Sequence, residues 1–212
     1  MSYQPKEVLS INKNLFLFIK IETNGFPIMK AGYNAKYYSY NDLTKYNNSR
    51  IVRISWGTYT FKKVNKSIHN YIIKPNGFNI TNSNIHGITE NEANTNGEDI
   101  ENVFNILKND LKDVKFIVGH SLDFITNILY SELHRLNKIN IIESLKQKEQ
   151  ICTSNQSVNI LKIPLNNDAN KYKTPKFSEL YKYCFNIDFD SNNNDGETYI
   201  EALMQCFFHL IK

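Results

Sequence analysis

The chain has 212 residues, 41% of them hydrophobic and 13% aromatic, which excludes an intrinsically disordered protein and suits one domain spanning residues 1–212. Its formal net charge of +4, with a pI near 8.8, permits nucleic-acid binding without demanding it. No apolar run reaches membrane-spanning length, and Cys152, Cys184 and Cys206 form no C-x-x-C pair, which argues against a bilayer protein, a disulfide framework or a zinc site.

Residues 14–22 (NLFLFIKIE) form a mostly apolar run suited to a buried strand. A polar connection follows from Phe26 to Arg50, with Tyr33, Tyr37, Tyr38, Tyr40 and Tyr46 interleaved with Lys30, Lys36 and Lys45. Rings among cations can stack on bases and track a phosphate backbone. In so tyrosine-rich a chain, a surface loop packing its tyrosines on the domain carries the greater weight. Residues 51–62 and 68–74, rich in β-branched and aromatic side chains, predict two more strands, and Lys74-Pro75-Asn76-Gly77 then supplies a turn. Gly97-Glu98-Asp99 opens a helix in which Ile100, Val103, Phe104, Leu107 and Leu111 follow the helical period. Residues 115–120 (KFIVGH) predict a strand and Leu122 to Leu136 a helix. The C-terminal third reads as mostly helical, closing on residues 197–211. Three early strands able to pair as a meander, then a crossover to a parallel strand, predict an α/β fold with a mixed sheet flanked by helices.

The stretch FIKIETNGFP, residues 18–27, breaks an expected pattern. A strand end of this kind ordinarily carries two acids one apart on the same side to hold a metal ion, and here the first position is Lys20. Two further stretches follow in order: Ser83-Asn84-Ile85-His86-Gly87-Ile88-Thr89 with Gly97, and Ile117-Val118-Gly119-His120-Ser121-Leu122-Asp123-Phe124. The first stretch resembles F-D-x-E-T-T-G-x-P, the second "vHGIt" and the third V-G-H-N-x-x-F-D, all of the DEDDh (DnaQ-like) 3′–5′ exonuclease family. That family contains the proofreading subunit of bacterial DNA polymerase III. Ile151-Cys152-Thr153, the run from Pro175 to Tyr181, and Cys206-Phe207-Phe208 extend the resemblance to the end of the chain. It implies a ribonuclease-H-like fold and catalysis by two divalent metals on four carboxylates, with a histidine as general base.

Carried onto this chain, the catalytic positions hold Lys20, Glu22, Ile125, Asn194 and Tyr199, so only Glu22 is retained; Ser121 replaces the motif's asparagine. Asp123 precedes Ile125 by two residues, and Glu197 and Glu201 flank Tyr199 by two. On a helix that spacing turns a side chain by about 200°, away from the required point. Asp195, beside the histidine position, is the remaining candidate metal ligand with Glu22, and Mg²⁺ or Mn²⁺ is expected only if a residual nuclease survives. Lys20 and Glu22 alternate by two and should project to one side, where they can pair as a fixed cation and anion. A solvated surface pair is at least as good a reading. His86-Gly87-Ile88 helps frame the 3′-end pocket in the resembled family, with a simple turn as the equal alternative. His120 suits packing or hydrogen bonding at a strand end better than general-base work.

Three functions stay open on these residues. The first is a non-cutting binder of single-stranded DNA or RNA ends, through Lys20, Thr23, Asn24, His86, Gly87, Ile88, His120 and Ser121. The second is a protein-interaction or structural module that docks on a partner or self-associates. The third, ranked last, is an active nuclease with an unorthodox metal site. The N-terminus MSYQPKEVLS lacks a signal-peptide core, so a soluble, intracellular protein with no membrane partner is expected, cytoplasmic or, in a suitable host context, nuclear or viral.

Overall fold

The computed structural model describes residues 15–32, 36–165, 168–190 and 195–212. Tyr33 of the tyrosine-lysine connection and Asn194 at the histidine position lie outside the described residues.

Strand β1 (Leu15–Thr23) forms because its apolar side chains serve both faces of a sheet. Leu17, Ile19 and Ile21 enter one buried cluster, while Phe16 and Phe18 enter another. β2 (Ile51–Tyr59) and β3 (Asn65–Ile72) continue from it as the expected antiparallel meander. β4 (Val114–Gly119) pairs parallel with the other side of β1, and β5 (Glu149–Cys152) pairs parallel with β4. The five-stranded order is β3-β2-β1-β4-β5, which leaves β1 at the centre. β2 ends before the predicted Lys62 because Lys63 takes a left-handed φ of 63° and its N–H bonds the Thr60 carbonyl at 2.9 Å, closing a turn.

Two short helices, α1 (Ser83–His86) and α2 (Glu90–Asn96), lead to α3 (Ile100–Asp110). The Asp99 carboxylate caps α3 by accepting from the N–H groups of Glu101 and Asn102. With α4 (Leu122–Arg135) and α5 (Ile139–Lys146), α3 covers the Leu17 face through Phe104, Leu107, Leu129 and Leu133. The chain returns through β5, α6 (Thr153–Leu161), a two-stranded hairpin of β6 (Pro164–Leu165) and β7 (Asp168–Tyr172), and α7 (Phe177–Phe185). α8 (Gly196–Leu210) then lays Leu203, Phe207 and Phe208 on Phe16 and Phe18. Among the described residues, no helix is long and apolar enough to cross a membrane.

The start of α8 is held against the sheet by the absence of a side chain. A Cβ on Gly196 would lie 1.8 Å from Ser55 Oγ and 2.4 Å from Asn70 Oδ1, two atoms bonded to each other across β2 and β3 at 2.9 Å. Gly196→Ala is therefore expected to cost about 2 kcal/mol or more by overpacking. Urea unfolding that gives a wild-type midpoint for this variant would show that α8 does not need the close approach.

Candidate functional site

On the α8 side of β1, Phe16 and Phe18 are followed in the same row by Lys20 and Glu22, so the aromatic core runs out into a charged floor. Lys20 Nζ lies 2.9 Å from Glu22 Oε1, and both side chains are only 13% exposed, so this is no solvated surface pair. The strand register sets Arg53 of β2 opposite Glu22, and Arg53 Nη1 comes within 3.3 Å of Glu22 Oε2. That contact is an ion pair without hydrogen-bond geometry, since Glu22 Oε2 is buried with no hydrogen-bond partner. α8 brings Tyr199 over the same point: Lys20 Nζ is 4.3 Å from its ring centroid. The ring is fixed in turn by Phe177, 4.2 Å between centroids. Burial lowers the Lys20 pKa below the usual lysine value, against the pull of the Glu22 carboxylate, and burial holds the Tyr199 hydroxyl well above its ordinary range.

This floor lies at the bottom of a cleft of ≈ 680 Å³. One wall is the turn after β1, where Asn24 ties two segments together. Its Oδ1 accepts from Thr81 N at 2.6 Å, its Nδ2 donates to the Asn79 carbonyl at 3.0 Å, and its own carbonyl accepts from Asn82 Nδ2 at 2.5 Å. The rim is apolar and exposed: Phe26 is 76% and Ile85 72% accessible, with the Phe124 ring 5.9 Å from that of Phe26. His86 also lines the cleft. Its Nδ1 accepts from Ile88 N at 3.1 Å, and its buried Nε2 has no hydrogen-bond partner. Burial lowers its pKa.

Of the residues singled out in the sequence, Lys20, Glu22, Thr23, Asn24, His86 and Tyr199 gather in this cleft. The others are placed elsewhere. Gly87 caps α1 with a left-handed φ of 75°, and Ile88 is fully buried in a small cluster with Val52, Ile80 and Ala93. His120 bridges the Thr153 hydroxyl at 3.1 Å and the Pro175 carbonyl at 2.9 Å, with its ring edge-on to Phe177. Ser121 takes a left-handed φ of 61° at the start of α4 and donates its N–H to Ser154 Oγ at 3.2 Å. Ile125 packs in the core, while Asp123, Glu197 and Glu201 are exposed. Asp195 caps α8, accepting from Thr198 N at 2.7 Å and Thr198 Oγ1 at 3.0 Å, and the backbone bond from Thr198 is the first cause of its lowered pKa. Among the described residues, no three His, Cys, Asp or Glu side chains form a group able to hold a metal ion. Sequence reasoning missed Arg53, Ile85, Phe124 and the exposed Phe26. For Arg53 the usable signal was cross-strand: it falls opposite Glu22 once the meander is in register.

No protein-family model matches this chain, and no curated protein does. Solved structures do match. Exonuclease I of E. coli in complex with a dT13 oligonucleotide superposes with a TM-score of 0.64 at 14% identity, covering 92% of this chain and 40% of that one. A moderately thermophilic exonuclease I from Methylocaldum szegediense gives 0.65 at 11% identity, over 91% and 40%. An ExoI/SSB-Ct complex gives 0.62 at 15% identity, again over 91% and 40%. This chain thus spans two fifths of the length of these neighbours, and at such identities the likeness is one of fold. The mixed sheet with its flanking helices is a ribonuclease-H-like exonuclease fold.

Proposed function

We propose that this protein is a non-cutting binder of single-stranded nucleic acid: an exonuclease fold whose cleft keeps a strand end and has given up its hydrolytic centre. The observation that carries the reading is the Lys20 ammonium, seated between the Glu22 carboxylate and the Tyr199 ring where the resembled family sets metal-binding carboxylates. Two of the replaced positions meet each other here, so the substitutions act as a set.

The donors present do not fit a pair of divalent ions. A hard ion such as Mg²⁺ needs several oxygen ligands in tight geometry. The floor offers one carboxylate, already flanked by the cations of Lys20 and Arg53, and Asp195 is engaged as a helix cap. What the cleft retains suits binding. Phe26 presents an open ring to a base, Asn24 and Asn82 make a polar wall, and His86 lines the same cleft. Two of the fold neighbours, both exonuclease I, are complexes with oligonucleotides, which supports the same class of partner.

Fluorescence anisotropy of a labelled single-stranded oligonucleotide, followed over time with Mn²⁺ present, tests both halves. The expected result is binding that weakens with salt while the signal holds steady. A signal that decays would restore the nuclease. Phe26→Ala is expected to weaken binding roughly tenfold, the scale of one base-aromatic stack. Binding absent at both low and high salt would favour a protein partner instead, a role to which the exposed Phe26 and Ile85 are also suited and for which the ExoI/SSB-Ct neighbour is a precedent in fold.

A further inference from the structure

We propose that Lys30 and Lys45, both seated on Tyr38, form a phosphate clamp that takes the nucleic-acid strand where it leaves the cleft. This rests on the single-strand reading above and adds to it a second contact, outside the cleft, with a different chemistry.

Lys30 Nζ lies 5.5 Å and Lys45 Nζ 4.9 Å from the centroid of the Tyr38 ring. Two like charges are thereby brought to one ring. Among the described residues neither lysine has a carboxylate partner; the neighbouring Asp42 carboxylate accepts from Thr44 Oγ1 at 2.7 Å. Two phosphates of a strand, one beside each ammonium group, would relieve their repulsion and satisfy both.

The backbone fixes this arrangement in advance. Lys30 N donates to the Lys36 carbonyl at 2.9 Å, beside a bridge between Met29 and Tyr37, and Ile28 N donates to the Lys45 carbonyl at 2.8 Å. Tyr46 is buried and donates its hydroxyl to the Tyr38 carbonyl at 2.6 Å, anchoring the segment that carries the ring. The same connection supplies Phe26 and Asn48 to the cleft lining, and the bond from Ile28 ties the Lys45 backbone two residues from Phe26. Because the Tyr38 ring already receives two ammonium groups, its part is to hold charges that meet phosphates. The open ring of Phe26 serves as the base platform.

The test compares labelled oligothymidylates of about 4 and about 12 nucleotides, lengths that stay within one small site or reach past it. The wild type should bind the longer strand more tightly. Lys30→Gln with Lys45→Gln should weaken only the longer one, roughly 20-fold near 0.1 M salt, and make its salt slope shallower by about 1.4, the value for two lost single-strand phosphate contacts. Tyr38→Phe should keep the gain with length and Tyr38→Ala should lose much of it. A double variant that retains the full gain overturns the clamp, as does a wild type that binds both lengths equally, and either result leaves the cleft reading standing. A wild type that binds neither length removes the cleft reading and the clamp with it.

Discussion

Glu22→Ala is expected to cost about 3 kcal/mol of folding stability, because removing one partner of a buried ion pair is strongly destabilising. Here it removes the carboxylate that Lys20 and Arg53 both pair with, in a floor where their side chains are 13% and 15% exposed. With a urea m-value of about 2 kcal/mol/M for a chain of this class, the midpoint should fall by roughly 1.5 M. Lys20→Met should behave differently. It removes a charge whose burial is itself unfavourable, keeps an apolar stem against Tyr199, and leaves Glu22 paired with Arg53, so its effect should stay within about 1 kcal/mol. Equal losses in the two variants would show that Glu22 is not the shared counterion of the site.

Acid should unfold the protein through His120. Burial pushes its pKa from the usual 6.5 down to about 4, against the raising effects of the Pro175 carbonyl and Glu179. Between those values the unfolded chain binds a proton that the folded one does not, so stability falls as pH falls from 6.5 towards 4. The full difference amounts to roughly 3 kcal/mol. Carboxylates titrate in the same window, so the comparison to make is wild type against His120→Asn, by urea unfolding at neutral pH and near pH 4.5. The variant should be less stable than wild type at neutral pH and lose less on acidification. Parallel pH profiles would mean that His120 is protonated as readily in the folded protein as outside it.

The sheet centre was legible because β1 obeys two periodicities at once, apolar on both faces for most of its length and then charged on one. The meander and the helix opened by Asp99 were legible for similar local reasons. β5 was not: four residues on a parallel edge, of which Ile151 alone is fully buried, leave too short a pattern to read. The β6–β7 hairpin was missed too, lying in a third of the chain read as mostly helical. At the site, the alternation of Lys20 and Glu22 announced their pairing. The contact of Lys20 with Tyr199 joins the first strand to the last helix and needs the tertiary fold. The exposure of Phe26 and Ile85 was hidden for the opposite reason: an apolar residue in a sequence reads by default as core. The tyrosine-lysine connection combines both readings, since Tyr46 is buried as a packing loop requires while Lys30 and Lys36 are exposed and Lys45 half-buried.

The trio of Lys20, Glu22 and Tyr199 also decides what the floor needs from solution. A floor lined with carboxylates depends on ions drawn from solution, whereas this one carries its cation on the chain. No single substitution would turn this floor into one lined with carboxylates. An aspartate at position 20 alone would set two acids side by side next to Arg53, and Ile125 and Tyr199 would still supply no ligand. A built-in cation thus keeps the charge of this floor fixed whatever ions the solution holds, and leaves the rim and the lysine-bearing connection as the surfaces where change costs the floor least.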